Sequence, residues 1–80
     1  MINKPFNYNR NYYDCILRCW NIIKTFNHIG FMIDDISFKI ENKKLYKYEN
    51  GIWRVLPLMS INKNKIYMFE IKLKNSLGVM

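Results

Sequence analysis

The sequence predicts an α+β fold: one N-terminal helix packed on a small antiparallel β-meander, preceded by an extended basic N-terminal arm. Three observations predict it. Apolar residues recur at a 3.6-residue period from Tyr12 to His28, the period changes to two from Ile36 onward, and turn signals cut the second half into short strands. No internal repeat or linker interrupts the chain. Residues 1–11 are therefore assigned to the arm and residues 12–80 to a single small domain.

Each element follows from local chemistry. The arm holds Lys4, Pro5, Arg10 and four Asn with no apolar period. Asn11 can cap the helix that follows, and Asp14 complements the positive end of its dipole. Tyr13, Ile16, Leu17, Trp20, Ile23 and the run Phe26 to Ile29 supply the helical stripe, and Gly30 is expected to end it. Ile36, Phe38 and Ile40 then alternate with Ser37 and Lys39, the pattern of a half-buried strand. Glu41 to Lys44 reads as a turn, Leu45 to Tyr48 as a short strand, and Asn50-Gly51 as a tight hairpin. Ile52 to Leu56 continues as a strand that Pro57 interrupts, which suits an edge position. Asn62 to Lys65 is the next turn. Ile66 to Lys74 is expected to be the longest strand, with Ile71 and Leu73 facing away from Glu70, Lys72 and Lys74.

Composition points to the setting. The chain has 12 Ile, 11 Asn and 10 Lys but no Ala and no Gln, a usage far from average that fits a gene under strong AT pressure, such as an organelle's. Eighty residues form a small core. With half of them apolar and with two Trp, six Tyr and five Phe, the chain has more apolar surface than such a core hides, so a subunit of a larger assembly is expected. The net charge is +7. Codon bias explains only part of it, because Lys outnumbers Glu by 10 to 3 although Glu codons are comparably accessible. An anionic partner is the expected reading, with a solvated positive surface as the alternative.

Several function classes are set aside. Cys15 and Cys19 lie one helical turn apart, but His28 is the only histidine, so a zinc site within the chain lacks ligands and buried reduced thiols are the plain reading. No apolar run approaches the length of a membrane span, and no secretory or transit segment is apparent, so the expectation is no membrane insertion. Asp34-Asp35 is the only acidic pair and its neighbours diverge. Ser37, Ser60 and Ser76 lack any nucleophile context, and the three glycines are isolated rather than grouped in a phosphate loop. No catalytic residue, cofactor, metal or small-molecule substrate is expected.

Basic and aromatic residues are the better lead. Lys43, Lys44, Tyr46, Lys47 and Tyr48 interleave, as do Lys63, Lys65 and Tyr67. Lysines neutralise phosphates and exposed tyrosines stack on bases. Strand alternation offers a second arrangement, with tyrosines toward a core and lysines toward water. Arg10 and Arg18 stand out, because arginine is the costlier way to place a positive charge under this codon bias and its planar fork suits phosphate.

The order of four segments resembles the family of small-subunit ribosomal protein eight. Its first helix has the form Asp-x-Leu-x-Arg-x-x-Asn, and this chain has Asp14-Cys15-Ile16-Leu17-Arg18-Cys19-Trp20-Asn21. A Gly-Phe-Ile turn is matched by Gly30-Phe31-Met32. A Leu-Lys-Tyr strand and hairpin are matched by Tyr46-Lys47-Tyr48-Glu49-Asn50-Gly51, and Leu-x-x-Ile-Ser-Lys by Leu58-Met59-Ser60-Ile61-Asn62-Lys63. The hallmark Ser-Thr-Ser-x-Gly-Val-Met is similar to Asn75-Ser76-Leu77-Gly78-Val79-Met80. Asn64-Lys65 stands where the family has Pro-Gly, and segments before the Gly-Phe turn and before the last motif are shortened. The family's C-terminal RNA-binding lobe has no counterpart. The resemblance thus implies a reduced or split version whose remainder a second chain would supply.

It also implies contact with small-subunit ribosomal RNA through Arg18, Asn21, Lys63, Asn75, Ser76 and Gly78, to which the charge argument adds Arg10 and Lys65. The expectation is a structural component of the small subunit of a mitochondrial ribosome, in the matrix and organelle-encoded, touching ribosomal RNA and neighbouring ribosomal proteins. The alternative is a protein-contacting accessory subunit of a respiratory or other organelle-encoded complex, which leaves the Lys excess unexplained.

Overall fold

The computed structural model describes residues 12–79. The expected arm, with Arg10, and the terminal Met80 lie outside the described residues. The element order is α1 (Tyr12–Ile23), β1 (His28–Ile33), β2 (Ile36–Glu41), β3 (Lys44–Glu49), β4 (Ile52–Val55), a 3₁₀ turn (Leu58–Ser60) and α2 (Ile66–Leu77). The four strands form one antiparallel sheet in the order β1-β2-β3-β4, a meander with the N-terminal helix packed on it, as expected for an α+β fold.

Turn chemistry builds the meander. Each hairpin closes through two residues with positive φ: Asp34 and Asp35 (51° and 66°), Asn42 and Lys43 (55° and 60°), and Asn50 and Gly51 (54° and 80°). That backbone matches the right-handed twist of the flanking strands. Asp and Asn tolerate the left-handed region, whereas Lys43 has no local compensation.

Two elements differ from expectation. The helix ends at Ile23 rather than His28, where the Thr25 hydroxyl donates to the Ile22 carbonyl at 2.7 Å and Lys24 to Asn27 form a turn. The run from Phe26 to Ile29 fits either period. What decides is that Ile29, Phe31 and Ile33 can alternate inward as β1, with Gly30 inside a strand rather than beyond a helix.

The expected C-terminal strand is instead α2. Ile66, Phe69, Glu70, Leu73 and Leu77 share a helical face, and Glu70 on it is fully buried. A charged residue at a core position masks the 3.6 period and leaves the Phe69, Ile71, Leu73 alternation as the louder signal. Gly78, at φ 71°, stops the helix while the Val79 amide donates back to the Lys74 carbonyl at 2.9 Å.

The core lies between the sheet and the two helices. Ile33, Phe38, Ile40 and Leu45 meet Cys15, Cys19, Ile22 and Ile23 of α1 and Ile66 and Leu73 of α2. Phe38 links strand and helix, stacked on Phe31 at 5.6 Å and edge-on to Phe69 at 6.1 Å. The Tyr12 hydroxyl lies 3.1 Å from the Met59 carbonyl and 3.3 Å from that of Ile61, tying the start of α1 to the segment that leads into α2. Burial, reinforced by the neighbouring Glu70 and Cys15, pushes the Cys19 thiol up to about 12, with Lys74 opposing. Among the described residues, no helix is long and apolar enough to cross a membrane.

Candidate nucleic-acid surfaces

Ion pairing sorts the cations first. Lys39 pairs with Glu41 at 3.1 Å, Lys47 with Glu49 at 3.6 Å, Lys72 with Asp34 at 2.6 Å and Lys74 with Glu70 at 3.1 Å. The first three, being exposed, add little stability, whereas Glu70 is buried; each pair cancels a charge. Among the described residues this leaves Arg18, Lys24, Lys43, Lys44, Arg54, Lys63 and Lys65 outside any ion pair. Those seven are the positive surface on offer.

Three of them gather at the C-terminal end of α1, and Arg18 precedes them on that helix. Arg18, Asn21 and Lys24 follow one another at three-residue steps along and just beyond the exposed side of α1, a spacing that makes side chains neighbours. The Lys43 ammonium lies 3.4 Å from the Lys24 carbonyl and donates to it, beside Lys44 at the start of β3. A helix C-terminus presents bare carbonyls, so a cation there is favourably held. Arg18 and Asn21, expected from the sequence, are exposed on the same helix, about two turns and one turn before this basic rim of Lys24, Lys43 and Lys44.

The other expected residues lie elsewhere. Lys63 sits in the turn before α2, its ammonium 5.8 Å from the centre of the Tyr12 ring. Lys65 is the N-cap of α2, on the border of a groove of about 530 Å³ that Lys47, Met68, Phe69 and Lys72 also line. Asn75, Ser76 and Gly78 cluster at the opposite end of α2, where the Ser76 hydroxyl donates to the Met32 carbonyl at 2.8 Å and Gly78 caps the helix. Ser76 and Gly78 thus already hold structural positions. The expected residues form three separate places, not one site.

The sheet has a second face that no described helix covers. In β3 the alternation turns Leu45 and Lys47 toward the helices and Tyr46 and Tyr48 outward, so the arrangement with tyrosines in the core is not adopted. Tyr46 pairs across with Val55, and Tyr48 with Trp53. The Tyr48 and Trp53 rings stand 5.0 Å apart and tilted, both still substantially exposed, at 45% and 38%. Lys39, from β2, reaches over Tyr46 at 5.3 Å and Trp53 at 4.8 Å from the ring centres. Lys24, Lys39 and Trp53 were not anticipated. The signal for Lys39 was present, since the inward set Ile36, Phe38 and Ile40 forces it outward, but Trp53 needs the β3 and β4 register.

An apolar groove of about 290 Å³ runs beside the rim, between Ile16, Leu17 and Trp20 of α1 and Val55, Pro57 and Leu58. Comparison with known protein families, with curated proteins and with solved structures returned no match.

Proposed function

We propose that this chain is a small RNA-binding structural protein of the small subunit of an organellar ribosome, mitochondrial and organelle-encoded, acting by charge and shape rather than by catalysis. The observation that carries the reading is the segregation of cations. Lysines beside acids are consumed in pairs, while Lys24, Lys43 and Lys44 lie together at the end of α1, with Asn21 and the ion-pair-free Arg18 exposed along the same helix. Such a patch suits a phosphate backbone, to which each cation contributes by releasing a condensed counterion. The order of segments similar to small-subunit ribosomal protein eight supports the same reading, and the codon usage supports the compartment.

The apolar groove beside Trp20 favours a protein neighbour within the same particle. Gradient fractionation of the native organelle, following this chain by mass spectrometry at moderate and then high salt, tests the assignment. Co-migration with the small ribosomal subunit, released only at high salt, is expected. Migration with a membrane complex regardless of salt overturns it in favour of the accessory-subunit alternative.

A further inference from the structure

We infer that the outer face of the β-sheet is a base-stacking platform for single-stranded RNA, distinct from the basic rim on α1. The inference rests on the RNA-binding reading above and assigns it a second, chemically different contact. Its parts are Tyr46 and Tyr48 on β3, Trp53 on β4 and Lys39 on β2.

Three features support it. No described helix covers the face: α1 and α2 lie on the other side of the sheet, and Met32, Tyr48 and Trp53 are exposed on it. A soluble surface that leaves adjoining rings and apolar side chains to water is one that meets a partner. The rings also adjoin one another, and a base stacking on Tyr46 or Trp53 would take the place that the Lys39 ammonium holds over them. Tyr48 and Trp53 touch, forming one aromatic unit, and Tyr46 stands two residues along β3, roughly 7 Å away by strand geometry. That spacing leaves room for about two unstacked bases, which every nucleobase can supply because each has a π-face.

Charge selects RNA over a protein. Glu41 on this face is answered by Lys39, so the net positive charge there comes from Lys44, two residues before Tyr46, and continues into Lys43 in the adjoining turn. A strand whose bases stack on Trp53 and Tyr46 can therefore carry its phosphates onto Lys44, Lys43 and the rim. A protein partner would have to bury the Lys39–Glu41 pair at the middle of its contact, at a desolvation cost that the wet, charged surface of RNA avoids. Gly30, opposite Lys39 in the register, adds no side chain to the neighbouring surface.

The full chain carrying Trp20→Phe leaves Trp53 as the sole tryptophan and makes its emission the reporter. It is titrated with single-stranded oligoadenylate and with an RNA duplex, alongside Tyr46→Ala and Trp53→Ala chains followed by anisotropy of labelled RNA. Circular dichroism checks that each variant folds. Quenching of Trp53 by the single strand is expected, with a clear preference over the duplex and a loss of about tenfold in affinity for each aromatic variant. Three results overturn the proposal. RNA binding that leaves Trp53 emission unchanged, ignores Tyr46→Ala and is lost in Lys43→Glu removes the platform but keeps the RNA reading. Absence of binding to either RNA removes both. Concentration-dependent self-association that shields Trp53 without RNA assigns the face to a second copy of this chain.

Discussion

The Lys39 ammonium lies 4.8 Å from the centre of the Trp53 ring although the two residues belong to β2 and β4, with β3 between them. One long side chain therefore crosses Tyr46 and gathers three strands on the face that no described helix covers. A cation over a ring at such a half-buried site contributes roughly 0.5–1 kcal/mol, enough to bias the position of Lys39 but small enough for a stacking ligand to displace it. Lys39 is accordingly no idle surface charge. The neutral reference for a test of the RNA surface is Lys72, whose charge is consumed by Asp34 at 2.6 Å.

Arg18→Ala should weaken RNA binding similarly across sequences and shrink its salt slope by about one unit, because a phosphate contact carries no base information. Lys72→Ala should change neither. Affinities of the two variants measured side by side at several salt concentrations check this, and equal losses would count against an RNA contact at Arg18.

Lys43 separates stability from binding. It occupies the second turn position of the β2–β3 hairpin at φ 60°, a backbone that costs an L-residue more than it costs glycine. Lys43→Gly should stabilise the fold by about 0.5–1 kcal/mol after glycine's own entropy cost. The same change removes a rim cation and should lower RNA affinity. Denaturant unfolding and RNA titration of one variant report both signs.

The parts of this fold that were legible in the sequence are those fixed by local backbone chemistry. Asn50-Gly51 announces its hairpin, and the Ile36, Phe38, Ile40 alternation announces β2. What was not legible depends on a partner far along the chain. Glu70 reads as a surface residue until α2 is packed against α1, where Glu70 is fully buried close to Cys19, and that single residue turns a helical face into an apparent strand. The site behaves similarly. Arg18 and Asn21 could be picked out on α1, but the meeting of Lys24 with Lys43 depends on the β2–β3 hairpin folding back to the end of that helix. Which side of β3 carries its tyrosines depends on which side the helices cover, and no alternating pattern states that.

Ser76 offers a check on the family resemblance. Its hydroxyl is held by the Met32 carbonyl at 2.8 Å, an exposed bond linking α2 to β1. Ser76→Ala should cost about 0.5–1 kcal/mol of stability and leave RNA affinity unchanged at temperatures where the variant is folded. A loss of affinity with no loss of stability would restore Ser76 to the RNA surface.

Cys19 sets an alkaline limit. Its folded thiol is raised from the ordinary 9.0 to about 12, first by burial and then by Glu70 and Cys15. The unfolded chain gives up that proton at lower pH than the folded one. The contribution is therefore intact below 9.0 and is lost as pH climbs toward about 12. Thermal unfolding followed from neutral into alkaline solution should show a falling melting temperature. Cys19→Val should flatten the part of that decline due to the thiol.

The central claim is that cations left outside ion pairs bind RNA, and the salt dependence of that binding tests it most directly. Purified full-length chain titrated with a single-stranded oligoribonucleotide should show log K falling linearly with log salt concentration, with a slope of about −3 if Arg18, Lys24, Lys43 and Lys44 each neutralise one phosphate. A slope near zero, or binding too weak to detect at low salt, would contradict it.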